Sequence, residues 1–201
     1  MIIQFFPKVL YLETLKSLDG LTIKYLKEKM LKDSVVASVQ TNGELTKNQQ
    51  ILKDNKLNSL NKEILLHIKK YVDILGHQVG SVKVCSSWGN ILKKGEHIHA
   101  HKHTNAYISG CFYLTDGCNI LFHNSSIDRD FMFNPLVTAV EDKPWTWSNM
   151  TIPAEVGRIL LFPSQLSHSV EDNPLLEDRY SIAFNAIPQG TFGARTFQLT
   201  L

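Results

Sequence analysis

With 201 residues, 43% of them hydrophobic, the chain is long enough to bury one good core and too short for two comfortable domains. A formal net charge of +2 gives no sign of a nucleic-acid-binding surface overall. No apolar run approaches the ~20 residues needed to span a bilayer, and the N-terminal MIIQFFPKVLYLETL lacks the basic start and small-residue cleavage site of a secretory signal.

The charge is uneven. Residues 1–70 hold twelve lysines against seven acids, the composition of a solvated helical face or, secondarily, of a surface that steers an acidic partner. Cys85, Cys111 and Cys118 are odd in number and lack close metal-type spacing, so reduced thiols in a cytoplasmic setting are expected.

In chain order, Ile2 to Phe6 is apolar and ends at Pro7, which suits a leading strand on the edge of a later sheet. Leu15, Leu18, Leu21, Tyr25, Leu26 and Met30 recur at helical spacing within Thr14 to Lys32, with Gly20 a possible break. Val35 to Asn55 is polar and poorly patterned, hence loop. A second helix follows, with Leu60, Ile64, Ile68, Tyr71 and Leu75 on one face, Asn58 or Ser59 as N-cap and Gly76 as its stop.

After Gly76 the period changes from near four to two. Val79 to Ile91, Tyr107 to Leu114, Cys118 to His123, Thr146 to Ile152, Gly157 to Phe162 and Arg179 to Ile187 read as short strands between turn residues. The expected fold is mainly β: one domain over residues 1–201, with a helical portion (1–78) packed outside a jelly-roll core (79–201), either an antiparallel sandwich or a closed barrel. The long interruption from Asn124 to Pro153, with Phe131, Phe133, Trp145 and Trp147, suits either a lid or packing against the outside of the barrel.

Chemistry concentrates in Gly95 to Leu114, GEHIHAHKHTNAYISGCFYL, where His97, His99, His101 and His103 occupy every second position. An extended backbone sends such residues to one face about 6.6 Å apart, so two of them can grip one metal ion. His168, delivered after the strand GRILLFP, is the natural third ligand, leaving open positions for substrate and oxidant. Arg179 and Ser181 share a face of the strand RYSIAFN; a guanidinium and a hydroxyl so placed make a socket for a dicarboxylate whose other end reaches the metal. A salt bridge from Arg179 to Asp178 or Glu177 is the structural alternative.

These residues carry a resemblance. The stretch resembles the 2-oxoglutarate and Fe(II)-dependent oxygenases, and more narrowly a small branch found in bacteria and phages. It does so through His101-Lys102-His103, Ser109-Gly110-Cys111-Phe112-Tyr113-Leu114, GRILLFPSQLSH from Gly157 to His168, and Arg179-Tyr180-Ser181 running to Asn185, with Trp88-Gly89-Asn90 upstream. The resemblance spans about residues 80–188. It implies a double-stranded β-helix, Fe(II) on His101, His103 and His168, and 2-oxoglutarate on Arg179 and Ser181, with Tyr113 and Asn90 as further ligand-binding candidates. Distance to Ser109-Gly110 selects His101 and His103 over His99 and His101, the register one step away.

Most of that superfamily places an acid where His103 stands, so either a three-histidine centre operates or a carboxylate from elsewhere completes it. The implied activity is oxidative decarboxylation of 2-oxoglutarate to succinate and CO2, coupled to hydroxylation of a small molecule, peptide or nucleotide. The rivals are a cupin-like three-histidine enzyme that does not use 2-oxoglutarate, and a non-catalytic metal- or ligand-binding module.

Overall fold

The computed structural model describes residues 8–37, 39, 41–124, 149–192 and 198–200. In chain order its elements begin with β1 (Tyr11–Thr14), α1 (Gly20–Asp33), β2 (Ser34–Val36), β3 (Glu44–Thr46), α2 (Asn58–Ile74), β4 (Ser81–Leu92) and β5 (Ile98–His101). They continue with β6 (Ile108–Tyr113), β7 (Ile120–His123), β8 (Asn149–Ile152), β9 (Arg158–Pro163), β10 (His168–Val170), β11 (Arg179–Gln189), β12 (Thr191–Phe192) and β13 (Leu199–Thr200).

One sheet runs β1-β9-β6-β11-β4-β3-β2, a second β5-β10-β7-β8, and β12 pairs with β13. The ladders are antiparallel. The two main sheets face each other as an open sandwich: Cys111, Tyr113, Leu160 and Phe162 of the larger pack on Ile120, Phe122 and Ile152 of the smaller. Phe122 and Phe162 meet edge to face at 5.0 Å. Of the two expected forms, the described residues make the sandwich; an isolated bridge between Thr41 and Ile98 ties the edges together on one side.

Strand alternation explains why β6 is buried at every position. Ile108 and Phe112 turn outward to a layer containing the helices, whereas Cys111 and Tyr113 turn inward to the second sheet. In β11, Tyr180, Ile182, Phe184 and Ala186 face the helical layer, joining Leu26 and Met30 of α1 and Leu60, Ile64, Ile68 and Tyr71 of α2 in one core. Helices thus cover the outside of the larger sheet, as the sequence pattern predicts.

Several local expectations change. The first helix starts at Gly20, not Thr14, because Asp19 caps it by accepting from Thr22 N at 2.8 Å. Leu15 and Leu18 are buried from the preceding segment. The stretch 35–55, expected as loop, lies within a segment from Ser34 to Leu57 that holds β2, β3 and two short 3-10 turns, which bury Ile51, Leu52 and Leu57; their run lengths are too short for periodicity to register. The second helix has no side-chain N-cap, since Asn58 already lies inside it, while Gly76 ends it at a φ of 68°. The proposed strand from Ile2 to Phe6 lies outside the described residues, as do Phe131, Phe133, Trp145 and Trp147. No helix among the described residues is long and apolar enough to cross a membrane.

Gly110 shows how tightly the layers close. A Cβ built there would lie 2.5 Å from Phe184 Cζ and 2.6 Å from Leu161 Cδ2. Both neighbours are fully buried, so neither has room to withdraw. Gly110→Ala is expected to destabilise the protein by roughly 1–3 kcal/mol through overpacking, read as a lower urea midpoint with unchanged slope; an unaltered midpoint would refute this account of the packing.

Candidate active site

The inner face of the sandwich gathers the chemistry-bearing residues. β5 ends at His101 and β10 begins at His168, and antiparallel pairing sets these two directly opposite each other. Their ring centroids are 4.3 Å apart. His103 lies beyond the end of β5, held by its N–H donating to Ser164 O at 2.9 Å, and its ring stacks on His168 at 5.2 Å. One nitrogen from each of the three imidazoles lies within 4.8 Å of the others.

Two of these rings have a defined orientation. His101 Nδ1 faces the His99 carbonyl at 2.8 Å, and His168 Nδ1 faces the Leu166 carbonyl at 2.9 Å. A carbonyl only accepts, so each Nδ1 carries the proton and each Nε2 keeps a free lone pair. Burial, followed by the neighbouring imidazole of His101, lowers His168 to about 3 and His103 to about 4. Burial also lowers His101. All three are neutral at pH 7, the protonation state a metal requires of its ligands.

His97 and His99 stand apart from this cluster. Their rings meet edge-on at 4.6 Å, and His97 Nδ1 lies 2.9 Å from Asp172 Oδ1 without hydrogen-bond geometry. The expectation that all four histidines share one extended face therefore needs correcting: β5 holds only His99 and His101, and the chain leaves the strand before His103. The grouping favours His101 with His103 over the alternative register. Among the described residues, no carboxylate joins the three histidines as a possible metal ligand.

Arg179 opens β11 and is 3% exposed. Its Nη1 donates to Ser181 Oγ at 2.6 Å, while Nε is buried with no partner. No ion pair between Arg179 and Asp178 or Glu177 occurs among the described residues, so that alternative is set aside. A buried guanidinium lacking an anion is costly, and a ligand carboxylate would both satisfy Nε and neutralise the charge.

Register builds the rest of the socket. Ser181 pairs with Asn90 on β4 and with Tyr113 on β6, so the three form a row across the larger sheet. Asn90, Arg179, Ser181, His101, His103 and His168 line one pocket. Tyr113 is fully buried beside them, its ring 5.3 Å from Arg179 Cζ and its hydroxyl accepting from Cys111 Sγ at 3.4 Å. Thr41, Cys111 and Phe162, which sequence reasoning left unassigned, also line the pocket. Alternation from Tyr113 and from the apolar strand ending at Pro163 places Cys111 and Phe162 there; nothing local marks Thr41.

The donor set fits a divalent metal and a carboxylate-bearing ligand: three neutral imidazoles, two with Nε2 freed by backbone anchors, and a buried guanidinium with no ion-pair partner among the described residues.

Known proteins resemble this chain in sequence family and in fold. The family model described as "Putative 2OG-Fe(II) oxygenase" matches residues 86–185. The fold is similar to that of SnoN, a non-heme alpha ketoglutarate dependent epimerase from nogalamycin biosynthesis, at a TM-score of 0.64 and 13% identity over 93% of this chain and 79% of that one. It is similar to a prolyl-4-hydroxylase from Pseudomonas putida at 0.62 and 10% identity, covering 91% and 94% of the two chains. HygX from Streptomyces hygroscopicus, solved with nickel, 2-oxoglutarate and hygromycin B, aligns at 0.61 and 11% identity over 90% and 83%. No curated protein sequence matches significantly. The family match runs from β4 through β11 and takes in His101, His103, His168, Arg179 and Ser181, and on it the chain belongs to the 2OG-Fe(II) oxygenases, a family of oxidoreductases.

Proposed function

We propose that this protein is an Fe(II)- and 2-oxoglutarate-dependent dioxygenase that hydroxylates a small molecule. The observation that carries the reading is the unpaired, buried Nε of Arg179 in the same pocket as three neutral, converging imidazoles. Iron and 2-oxoglutarate, when bound, supply oxidising power from O2, with the cosubstrate leaving as succinate and CO2.

The chain's own residues bind, orient and exclude. His101, His103 and His168 hold the metal, and Arg179 with Ser181 holds the carboxylate remote from it. Tyr113 supports the guanidinium through its ring face. Asn90, beside Ser181, offers a polar contact to the same ligand. Ile98, Ile120, Phe162 and Val170 give the pocket apolar walls, which keep bulk water from the reacting atoms. The structurally similar proteins include an epimerase and a prolyl-4-hydroxylase, so product analysis is what fixes the outcome. Free Cys85, Cys111 and Cys118 suit a reducing compartment, consistent with a cytoplasmic enzyme.

Anaerobic titration of the Fe(II) protein with 2-oxoglutarate, followed by the visible charge-transfer band, tests the assignment. The band is expected with the native protein and lost in His168→Ala. Arg179→Met should need roughly 10- to 100-fold more 2-oxoglutarate, the scale of a charge-assisted contact. The same substitution should raise the unfolding midpoint of the free protein, because an unpaired buried charge is gone. Absence of the band in the native protein would favour the cupin-like alternative, and a band with native affinity in Arg179→Met would refute Arg179 as the carboxylate socket.

The neutral histidines also set an acid limit. Their folded-state values lie below the ordinary 6.5, so the unfolded chain binds more protons between about pH 6.5 and pH 3. Stability of the metal-free protein is therefore full above pH 6.5 and falls as pH drops through that window. Urea midpoints at pH 7, 6, 5 and 4 should decline for the native chain and less steeply for His168→Phe; equal slopes would contradict the assigned burial.

A further inference from the structure

His101 and His168 each rest on a backbone carbonyl two residues earlier, but His103 does not. Its Nδ1 faces the side chain of Asn185 on β11, with Asn185 Nδ2 at 3.5 Å. Behind that amide, Ser109 Oγ on β6 donates to Asn185 Oδ1 at 2.8 Å. Ser109 and Asn185 are paired across the β6–β11 ladder and are 1% and 5% exposed. A buried, hydrogen-bonded pair of this kind fixes the position of its outermost group. It ends on one ring of the proposed metal triad.

The backbone reinforces the placement. The β4–β11 register shifts between Asn185 and Ala186, leaving Cys85 as the extra residue opposite, with Cys85 Sγ 3.4 Å from Asn185 O. A bulge re-aims the side chains beside it. Here it sits where the inward row Arg179, Ser181, Ala183, Asn185 reaches the histidines.

With Nδ2 toward the imidazole, Asn185 donates to Nδ1, the proton sits on Nε2, and His103 has no lone pair left on that nitrogen for a metal. Half a turn of the amide presents Oδ1 instead. Nδ1 then carries the proton, and Nε2 is free. Ser109 supports both states, because a hydroxyl donates to Oδ1 in the first and accepts from Nδ2 in the second.

We infer that Asn185, backed by Ser109, is a positioning residue that selects the metal-binding tautomer of His103 by turning its amide oxygen to Nδ1. The inference rests on the proposed role of His103 as a ligand. It makes the third ligand different in kind from the other two: their tautomers are set by the backbone, and this one by a rotatable side chain.

Co(II) affinity and imidazole NMR on the full chain test it. Asn185→Leu, which keeps the volume and removes acceptor and donor, should bind Co(II) 10- to 100-fold more weakly, the range for losing such a supporting contact. Asn185→Asp keeps an acceptor and should restore affinity to the native value or above. Ser109→Ala should weaken binding several-fold. In long-range 1H–15N spectra of the Zn(II)-loaded protein, the protonated Nδ1 signal of His103 should persist in the native chain and Asn185→Asp and vanish in Asn185→Leu.

His103→Ala separates the two layers of the argument. If it weakens Co(II) binding while Asn185→Leu binds like the native protein and keeps the Nδ1 signal, the positioning role is wrong. If His103→Ala itself binds at native affinity, the assignment of His103 as a ligand fails first. Loss of affinity in Asn185→Leu without rescue by Asn185→Asp would mark a packing effect and overturn the inference.

Discussion

The pairing of β5 with β10 is the constraint on which the site depends, because it sets His101 opposite His168. Side chains in a strand alternate faces, so a slip of one residue in either strand would carry one imidazole out of the sandwich and leave the other alone. Register is pinned by burial on both sides of the histidines. Val170, two residues after His168, pairs with Ile98, three residues before His101, across a register shift, and both are buried together with Leu92 and Cys118. On the other side of β10, Phe122 pairs with His168 and packs on Phe162. Hydrophobic contact thus specifies where polar groups converge.

Electrostatics then decide what such a site attracts. Among the described residues, the pocket combines three neutral imidazoles with one buried guanidinium and has no carboxylate among the residues that line it. A divalent metal added to this set brings more positive charge and nothing to offset it, unlike a centre with an acid among its ligands. A ligand with two negative ends suits it well, one end on the metal and one on Arg179. Arg179 has no ion-pair partner among the described residues, and the cost of burying such a charge makes an anion welcome there.

Much of this was legible from the sequence, for a definite reason. His101, His103, His168, Arg179 and Ser181 are polar residues at fixed spacings within apolar strands, and period-two alternation says which of them share a face. The helices were legible from Leu60, Ile64, Ile68 and Tyr71, whose spacing follows the helical turn. What escaped was set by tertiary contact. β2 and β3 are three residues each, too short to show a period. Thr41 enters the pocket because its loop bridges to Ile98, a partner 57 positions distant that no local pattern announces. The single extended face expected for the four histidines does not form, because β5 runs only from Ile98 to His101 and His103 joins His101 and His168 from beyond its end. Asn185 ends the motif that opens at Arg179 but has no role assigned from sequence, although it continues the inward series and a polar residue at that position of a buried strand asks for a partner.

β11 joins these threads. Its outward residues, Tyr180, Ile182, Phe184 and Ala186, anchor it to the helical core, while its inward residues run from Arg179 to Asn185 across the pocket. At about 3.3 Å per residue, that inward series spans roughly 20 Å, enough to hold a guanidinium at one end and an amide beside the histidines at the other. Ala183 between them is small and leaves the middle open. The two faces of one strand therefore have separable duties, and the apolar face makes the polar one rigid. A strand tied to α1 and α2 on its outer side cannot shift along its own axis without breaking that core, so the separation between carboxylate socket and metal ligands is fixed by helix packing well away from either.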